Sequence, residues 1–290
     1  MYELRPEYQL PAHIATIEHC KKSNEPAFHN MSVGAGKTIN IAFMCQHIVS
    51  KGGKVLVLAR QGELIEQNAD DAWSIGVKTS IFSASLNKKS TVFNCVMGTE
   101  GTVSNHLLDA FSSWLPDCVL IDESHMVHWQ DVIECITLAE QQKDLISQLQ
   151  NSDEYSQRFD ELFYNKDFSQ YAKIIAHFKI KKPKLRIIGY TGSPYRGTEA
   201  IKGAFWKHQL SDVGTMQLIQ LGFLVPPVFG FGDDDHHYDL NEFRPAGGEG
   251  AHDFTAKELA AMGRKLTKDK TMTQQIMEQV QDTVLKCLEM

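Results

Sequence analysis

Residues 27–50 constrain the fold more than any other stretch, because an apolar segment, a glycine turn and a helical segment follow one another without interruption. Ala27-Phe28-His29-Asn30 predicts a short strand, and Ile39 to Ser50 predicts a helix that stops at Gly52-Gly53. Between them, Val33-Gly34-Ala35-Gly36-Lys37-Thr38 carries the residue types that wrap a polyphosphate. Gly34 and Gly36 let backbone N–H groups turn inward, Lys37 reaches the terminal phosphates, and the Thr38 hydroxyl can ligate Mg²⁺. The N-terminal end of the following helix adds a positive dipole. Met31 stands where the general pattern G-x-x-x-x-G-K-[ST] has its first glycine. The reading at this point is an ATP-binding loop in a sheet whose strand ends converge on the ligand.

A second apolar run, Asp117-Cys118-Val119-Leu120-Ile121, ends in Asp122-Glu123-Ser124-His125. In an open parallel sheet those two acids stand at the ligand crevice. Asp122 then meets Mg²⁺, and Glu123 orients and polarises an attacking water, which is hydrolase chemistry. A third run, Leu185 to Tyr190, ends in the hydroxylated turn Thr191-Gly192-Ser193-Pro194, whose side chains can bond to the acidic turn. Each piece also has a plain reading as a strand end in water; the three together point to a nucleotide hydrolase.

The order of these pieces resembles the first RecA-like domain of superfamily-2 helicases and translocases, in their DEAD/DEAH-type Asp-Glu-x-His branch. The resemblance implies a P-loop NTPase fold, a doubly wound and mainly parallel sheet in a three-layer αβα sandwich. It also implies that Arg5 and Gln9 of Leu4-Arg5-Pro6-Glu7-Tyr8-Gln9 face the adenine. By the same likeness Lys37, Asp122 and Glu123 are catalytic, Thr38 and Asp122 hold Mg²⁺, and His125, Thr191 and Ser193 couple nucleotide state to motion. Val55 to Arg60 with Glu63-Leu64 and Gln67-Asn68, and Met97 to Thr102, are similar to the elements that touch the nucleic-acid backbone. From these the contact residues are Arg60, Gly98 and Thr99. Leu4-Arg5-Pro6, Thr191 to Arg196 and Leu221 to Pro227 look like RadD-type repair ATPases; type I and type III restriction motors share much of the pattern.

At 290 residues and 42% hydrophobic content the chain can bury a substantial core. We expect a RecA-like domain over residues 1–230 with a helical insertion at about 127–168. Residues 231–290 then form a linker and helices, including Phe254 to Met262 and Met272 to Glu289, leading toward a second RecA-like domain that this chain lacks. The implied partners are single-stranded or branched DNA, with RNA left open, that second domain, and single-strand-binding protein. Two other classes stay open: the motor of a restriction complex, and a truncated nucleotide-binding interaction module with little turnover.

A net charge of −7 runs against phosphate binding, so contact must be local. Lys88-Lys89 and the run Lys179, Lys181, Lys182, Lys184 and Arg186 offer such patches, and read equally as solvated turns. The six cysteines contain no C-x-x-C pair, and Cys45 and Cys118 fall in apolar segments as reduced core residues. Asp233-Asp234-Asp235-His236-His237 reads as a polar connection, since consecutive residues cannot all face one ion. No basic apolar leader and no apolar run of ~18 residues is present, which implies a soluble, cytoplasmic protein without membrane contact.

Overall fold

The computed structural model describes residues 3–141, 168–226, 259–261, 263–264 and 277. Contacts divide the chain into two units, Met1–Leu224 and Val225–Met290. In the second unit, residues 259–261, 263–264 and 277 are helical. The Asp233–His237 cluster and Tyr155, Phe159 and Phe163 of the insertion lie outside the described residues, as does most of the expected C-terminal helix.

The first unit is built on strands β1 (Ala27–Met31), β2 (Val55–Ala59), β3 (Thr79–Ser83), β4 (Lys88–Lys89), β5 (Cys95–Thr99), β6 (Cys118–Asp122), β7 (Arg186–Thr191) and β10 (His208–Val213). They form one sheet in the order β10-β1-β7-β6-β2-β5-β3-β4. Every pair is parallel except β3–β4. A separate hairpin, β8 (Tyr195–Arg196) with β9 (Glu199–Ala200), follows β7. β2, β5 and β6 are buried along their whole length, which is why they read as continuous apolar runs rather than alternating ones.

Alternation along each strand divides those apolar residues between two cores. Val55, Val57, Cys95, Met97, Cys118 and Leu120 pack with helices α1 (Gln9–Lys22), α2 (Lys37–Ser50) and α3 (Gly62–Ser74). Leu56, Leu58, Val96, Val119, Ile121 and Ile187 pack on the other face with α4 (Glu100–Ser104), α5 (Trp129–Gln141) and α6 (Gln170–Lys181). The chain moves outward from β1 to β2 to β3, then returns through β5, β6 and β7. Right-handed crossovers in opposite directions place their helices on opposite faces, giving the three-layer sandwich. A short helix, α7 (Thr215–Gln220), follows β10.

The register brings the functional strand ends to one rim. Asn30 pairs with Thr191, Asp122 with Tyr190, Leu58 with Ile121, and Ala59 with Thr99. The basic run behaves differently. Arg186 opens β7 and Asp117 precedes β6, so both sit at the opposite end of the sheet. There Lys182 pairs with Asp117 at 2.5 Å, Lys181 donates to the Ser112 carbonyl, and Arg186 donates to the Cys20 carbonyl. Lys181, Lys182 and Arg186 are thus bonded at the end of the sheet opposite the rim rather than lying in a solvated turn. Cys45 and Cys118 are buried free thiols.

Candidate functional site

The glycine loop leaves β1 at Met31 and enters α2 at Lys37. Gly34 and Gly36 adopt φ of 85° and 74°, the left-handed region that only glycine enters without strain. Gly36 has a second reason to lack a side chain, because a Cβ there would stand 2.5 Å from Gln9 Nε2. Gln9 is buried beneath the loop, where its Nε2 donates to the Ala35 carbonyl at 2.9 Å and its Oε1 accepts the Arg5 N–H at 3.0 Å. Gln9 thus props the loop from below. Arg5 lies over the Phe223 ring at 4.1 Å, Tyr8 meets the same ring edge-on, and Leu224 covers Gly34. Ser32 is tied to the other side by Thr215 at 2.9 Å and by the Val213 carbonyl. Val33, at the crest, is 81% exposed.

Lys37 Nζ stands 3.3 Å from Glu123 Oε1. Glu123 has φ 52° and ψ 53°, a left-handed turn that swings its side chain back over the strand end toward the loop. The neighbouring acids are tuned in opposite directions. Burial pushes the Asp122 carboxyl up, while the His125 hydrogen bond, aided by Lys37, holds Glu123 below the usual carboxylate range. Each Asp122 oxygen has one donor: Glu123 N–H at 3.0 Å to Oδ1, and Asn68 Nδ2 at 3.3 Å to Oδ2.

His125 joins this acidic turn to the end of β7. Its Nδ1 is 2.8 Å from Thr191 Oγ1 and 3.3 Å from Glu123 Oε2. The Thr191 hydroxyl gives its only proton to the Ser193 carbonyl at 2.9 Å, and also accepts the Ser193 N–H at 3.1 Å. The proton between His125 and Thr191 must therefore come from the histidine, which sets the Nδ1–H tautomer and shares that proton between Thr191 and Glu123. Ser193 takes part through its backbone, and its hydroxyl bonds instead to the Tyr195 carbonyl.

Beyond β6 the rim carries two adjoining clefts of about 460 Å³ each, both lined by Arg60, Glu100 and Gln170. One adds Lys89, Thr102 and His106; the other adds His128, Tyr171 and Arg196. Arg60 is exposed. Gly98 is a packing residue inside β5, where a Cβ would stand 2.5 Å from Val103 Cγ2. Thr99 is buried, and its hydroxyl bonds to Thr102 at 2.8 Å. Thr99 still lines the first cleft beside Arg60, whereas Gly98 lines neither. Asn68, in the segment that resembles the backbone-contact element, is buried against Asp122. A sequence signal existed, since Asn68 lies on the buried stripe Gly62, Ile65, Asn68, Ala69, Ala72 of α3.

Among the described residues, no group of three or more His, Cys, Asp or Glu is placed to hold a metal by itself, and no helix is long and apolar enough to cross a membrane.

Comparison with known proteins finds several solved structures that match part of this chain. The Type ISP restriction-modification enzyme LlaBIII, ATP-dependent and bound to DNA, is 12% identical over 76% of this chain and 16% of its own, with a TM-score of 0.47. The Hef helicase domain of Pyrococcus furiosus is 17% identical over 64% of this chain and 33% of its own, with a TM-score of 0.40. The UvsW helicase of bacteriophage T4 is 14% identical over 66% and 53%, with a TM-score of 0.39. The chain spans less than two thirds of the length of each. No curated protein matches. The family model described as "Type III restriction enzyme, res subunit" matches residues 2–196, well over half of the chain. On that match, and with the RecA-like sheet already described, the chain belongs to the type III restriction enzyme res-subunit family, a superfamily-2 helicase-like group.

Proposed function

We propose that this chain is the ATP-binding motor domain of a nucleic-acid translocase or helicase, hydrolysing ATP with Lys37, Asp122 and Glu123. The observation that carries the reading is the contact of Lys37 with Glu123 beside a buried Asp122, on a loop held open by two left-handed glycines. The residues fit Mg²⁺–ATP: a buried carboxylate at a strand end and the Thr38 hydroxyl at a helix N-terminus are hard oxygen donors of the kind Mg²⁺ takes with phosphates. When bound, the ion neutralises charge across the phosphates.

The chain's own groups do the rest. Backbone N–H groups from Gly36 to Thr38 receive phosphate oxygens, while that of Ala35 closes the turn onto the Ser32 carbonyl, and an arriving phosphate competes with Glu123 for Lys37. Glu123, released and ionised at neutral pH, accepts a hydrogen bond from water and orients it for in-line attack. Because His125 shares its proton between Glu123 and Thr191, a change at Glu123 passes to the Thr191–Ser193 turn and the β8–β9 hairpin beyond it. Gln9 and Arg5 bound the adenine side. Arg60 anchors the strand of nucleic acid along the clefts.

Single-stranded or branched DNA is the substrate class we assign, and a second RecA-like domain the partner that completes the site. The family description favours a restriction motor, working with modification and nuclease subunits, over a repair motor working with single-strand-binding protein. The test is a nucleotide-binding titration beside ATP hydrolysis, with and without single-stranded DNA or RNA. Lys37→Ala is expected to abolish binding, and Glu123→Gln to keep binding while removing turnover. Unchanged affinity in Lys37→Ala would refute the phosphate-loop reading.

A further inference from the structure

We propose that Asn68 is a positioning residue that holds the Asp122 carboxylate for Mg²⁺ and ties its orientation to the nucleic-acid clefts through α3; this rests on the Mg²⁺–ATP reading above. Asn68 is fully buried. Its Nδ2 donates both to the Leu64 carbonyl at 2.8 Å and to Asp122 Oδ2 at 3.3 Å. Two acceptors at one atom fix which way the amide points, since the flipped amide would set oxygen against oxygen. Its Oδ1 finds no partner in the described chain. An asparagine kept on an apolar stripe with half its amide unsatisfied is costly unless the other half is needed.

What the amide does follows from the geometry at Asp122. The Glu123 N–H fixes one oxygen and Asn68 fixes the other, so the carboxylate plane cannot rotate, and each oxygen keeps a further lone pair. Without Asn68, a buried Oδ2 loses its side-chain donor, and the carboxylate is freer to turn. Such outer partners fix the orientation and basicity of a metal-facing group.

The second half of the inference is the connection to the clefts. α3 starts two residues after Arg60, and its first residue, Gly62, is so closely covered by the β3–β4 turn that a Cβ would stand 2.5 Å from Ser85 Oγ. Ser85, like Arg60, lines a cleft. From Gly62 to Asn68 is about 9 Å along a rigid helix. A nucleic-acid strand that shifts Arg60 and the β3–β4 turn therefore moves the donor that Asp122 depends on.

The experiment titrates Mg²⁺ into the full chain with a fluorescent ATP analogue, in the presence and absence of a single-stranded oligonucleotide. Wild type, Asn68→Leu, which keeps the volume, and Asn68→Ala are compared, with folding checked by circular dichroism. Both variants are expected to need about 10-fold more Mg²⁺ while their affinity in EDTA stays within about twofold of wild type. The oligonucleotide should change the Mg²⁺ midpoint of wild type and leave that of the variants in place. An unchanged midpoint in Asn68→Leu overturns the inference, as does a uniform loss of affinity with and without metal, which would mean a packing role only. Lys37→Ala run alongside separates the two levels: if it binds nucleotide like wild type, the phosphate-loop reading falls as well, whereas a normal Lys37→Ala effect with an unchanged Asn68→Leu midpoint removes Asn68 alone.

Discussion

Gly36→Ala tests whether the phosphate loop and Gln9 form one unit. The new Cβ meets two separate obstacles: a backbone at φ 74° and the Gln9 amide 2.5 Å away. Forcing alanine into the left-handed region costs about 1 kcal/mol. Gln9 is only 5% exposed, so it cannot step aside into water while keeping its bonds to the Ala35 carbonyl and the Arg5 N–H. Losing both contributes about 2 kcal/mol more, for a total near ~3 kcal/mol. Gln9→Ala alone loses the same bonds without the backbone strain, about 2 kcal/mol. In the double variant the obstacle has gone and only strain plus the lost bonds remain, again about 3 kcal/mol, so the single effects should exceed the double by about 2 kcal/mol. Urea unfolding of the four proteins, followed by circular dichroism, measures this. Additive effects would refute the argument, since they would mean that Gln9 does not occupy the space under Gly36. Nucleotide titrations on the same proteins should show the same non-additivity.

The remaining expectations concern other parts of the rim and core. Thr191→Ala removes one of the two acceptors of the His125 proton and leaves Glu123, so ATP turnover should fall less than movement along DNA; equal losses in ATPase and translocation assays would deny a coupling role. Arg60→Ala should weaken binding across all sequences and lower the salt slope by about one ion; an unaltered slope in oligonucleotide titrations would remove Arg60 from the phosphate contacts. His29 is wholly buried between Thr16 and Ser211, and burial lowers its pKa to about 3. The unfolded chain therefore binds a proton that the folded chain refuses, and stability present above the ordinary value of 6.5 is lost as pH falls from there toward 3. The slope approaches about 1.4 kcal/mol per pH unit for this site, and His29→Gln should flatten the acid limb of urea midpoints measured against pH.

How much of this was legible depended on whether a residue's role is local. The phosphate loop, Asp122-Glu123 and Thr191 could be read because each stands at the end of an apolar run, and a strand buried on both faces announces itself by composition alone. His125 could be paired with Thr191 by likeness, yet its tautomer needed the Ser193 carbonyl. The Gln9–Gly36 contact joins residues 27 apart through a side chain that is polar at both ends, and no periodicity carries such information. The β3–β4 hairpin escaped because two consecutive lysines, Lys88-Lys89, lack any strand pattern. The lysines and arginine of residues 179–186 looked like a phosphate-binding run because charge is visible in sequence while the end of the sheet on which it falls is not.

The strand order sets the Lys37–Glu123 turn and the Arg60 clefts side by side within one unit. Had the strands been laid down in chain order, β2 would adjoin β1, and Asp122 would stand several strands from Asn68. Instead β6 and β7 are inserted between β1 and β2, so β6 has the hydroxylated end of β7 on one side and the Arg60 end of β2 on the other. With strands about 4.8 Å apart, Asp122 is within reach of Asn68 from α3 while Glu123, one residue on, reaches Lys37 and His125. Consecutive carboxylates thus face two different neighbours, one toward each half of the rim. Burial raises the pKa of one and a hydrogen bond lowers that of the other, so exchanging their roles would need both environments to change together. Swapping the pair, Asp122→Glu with Glu123→Asp, should therefore lose turnover even though both charges survive.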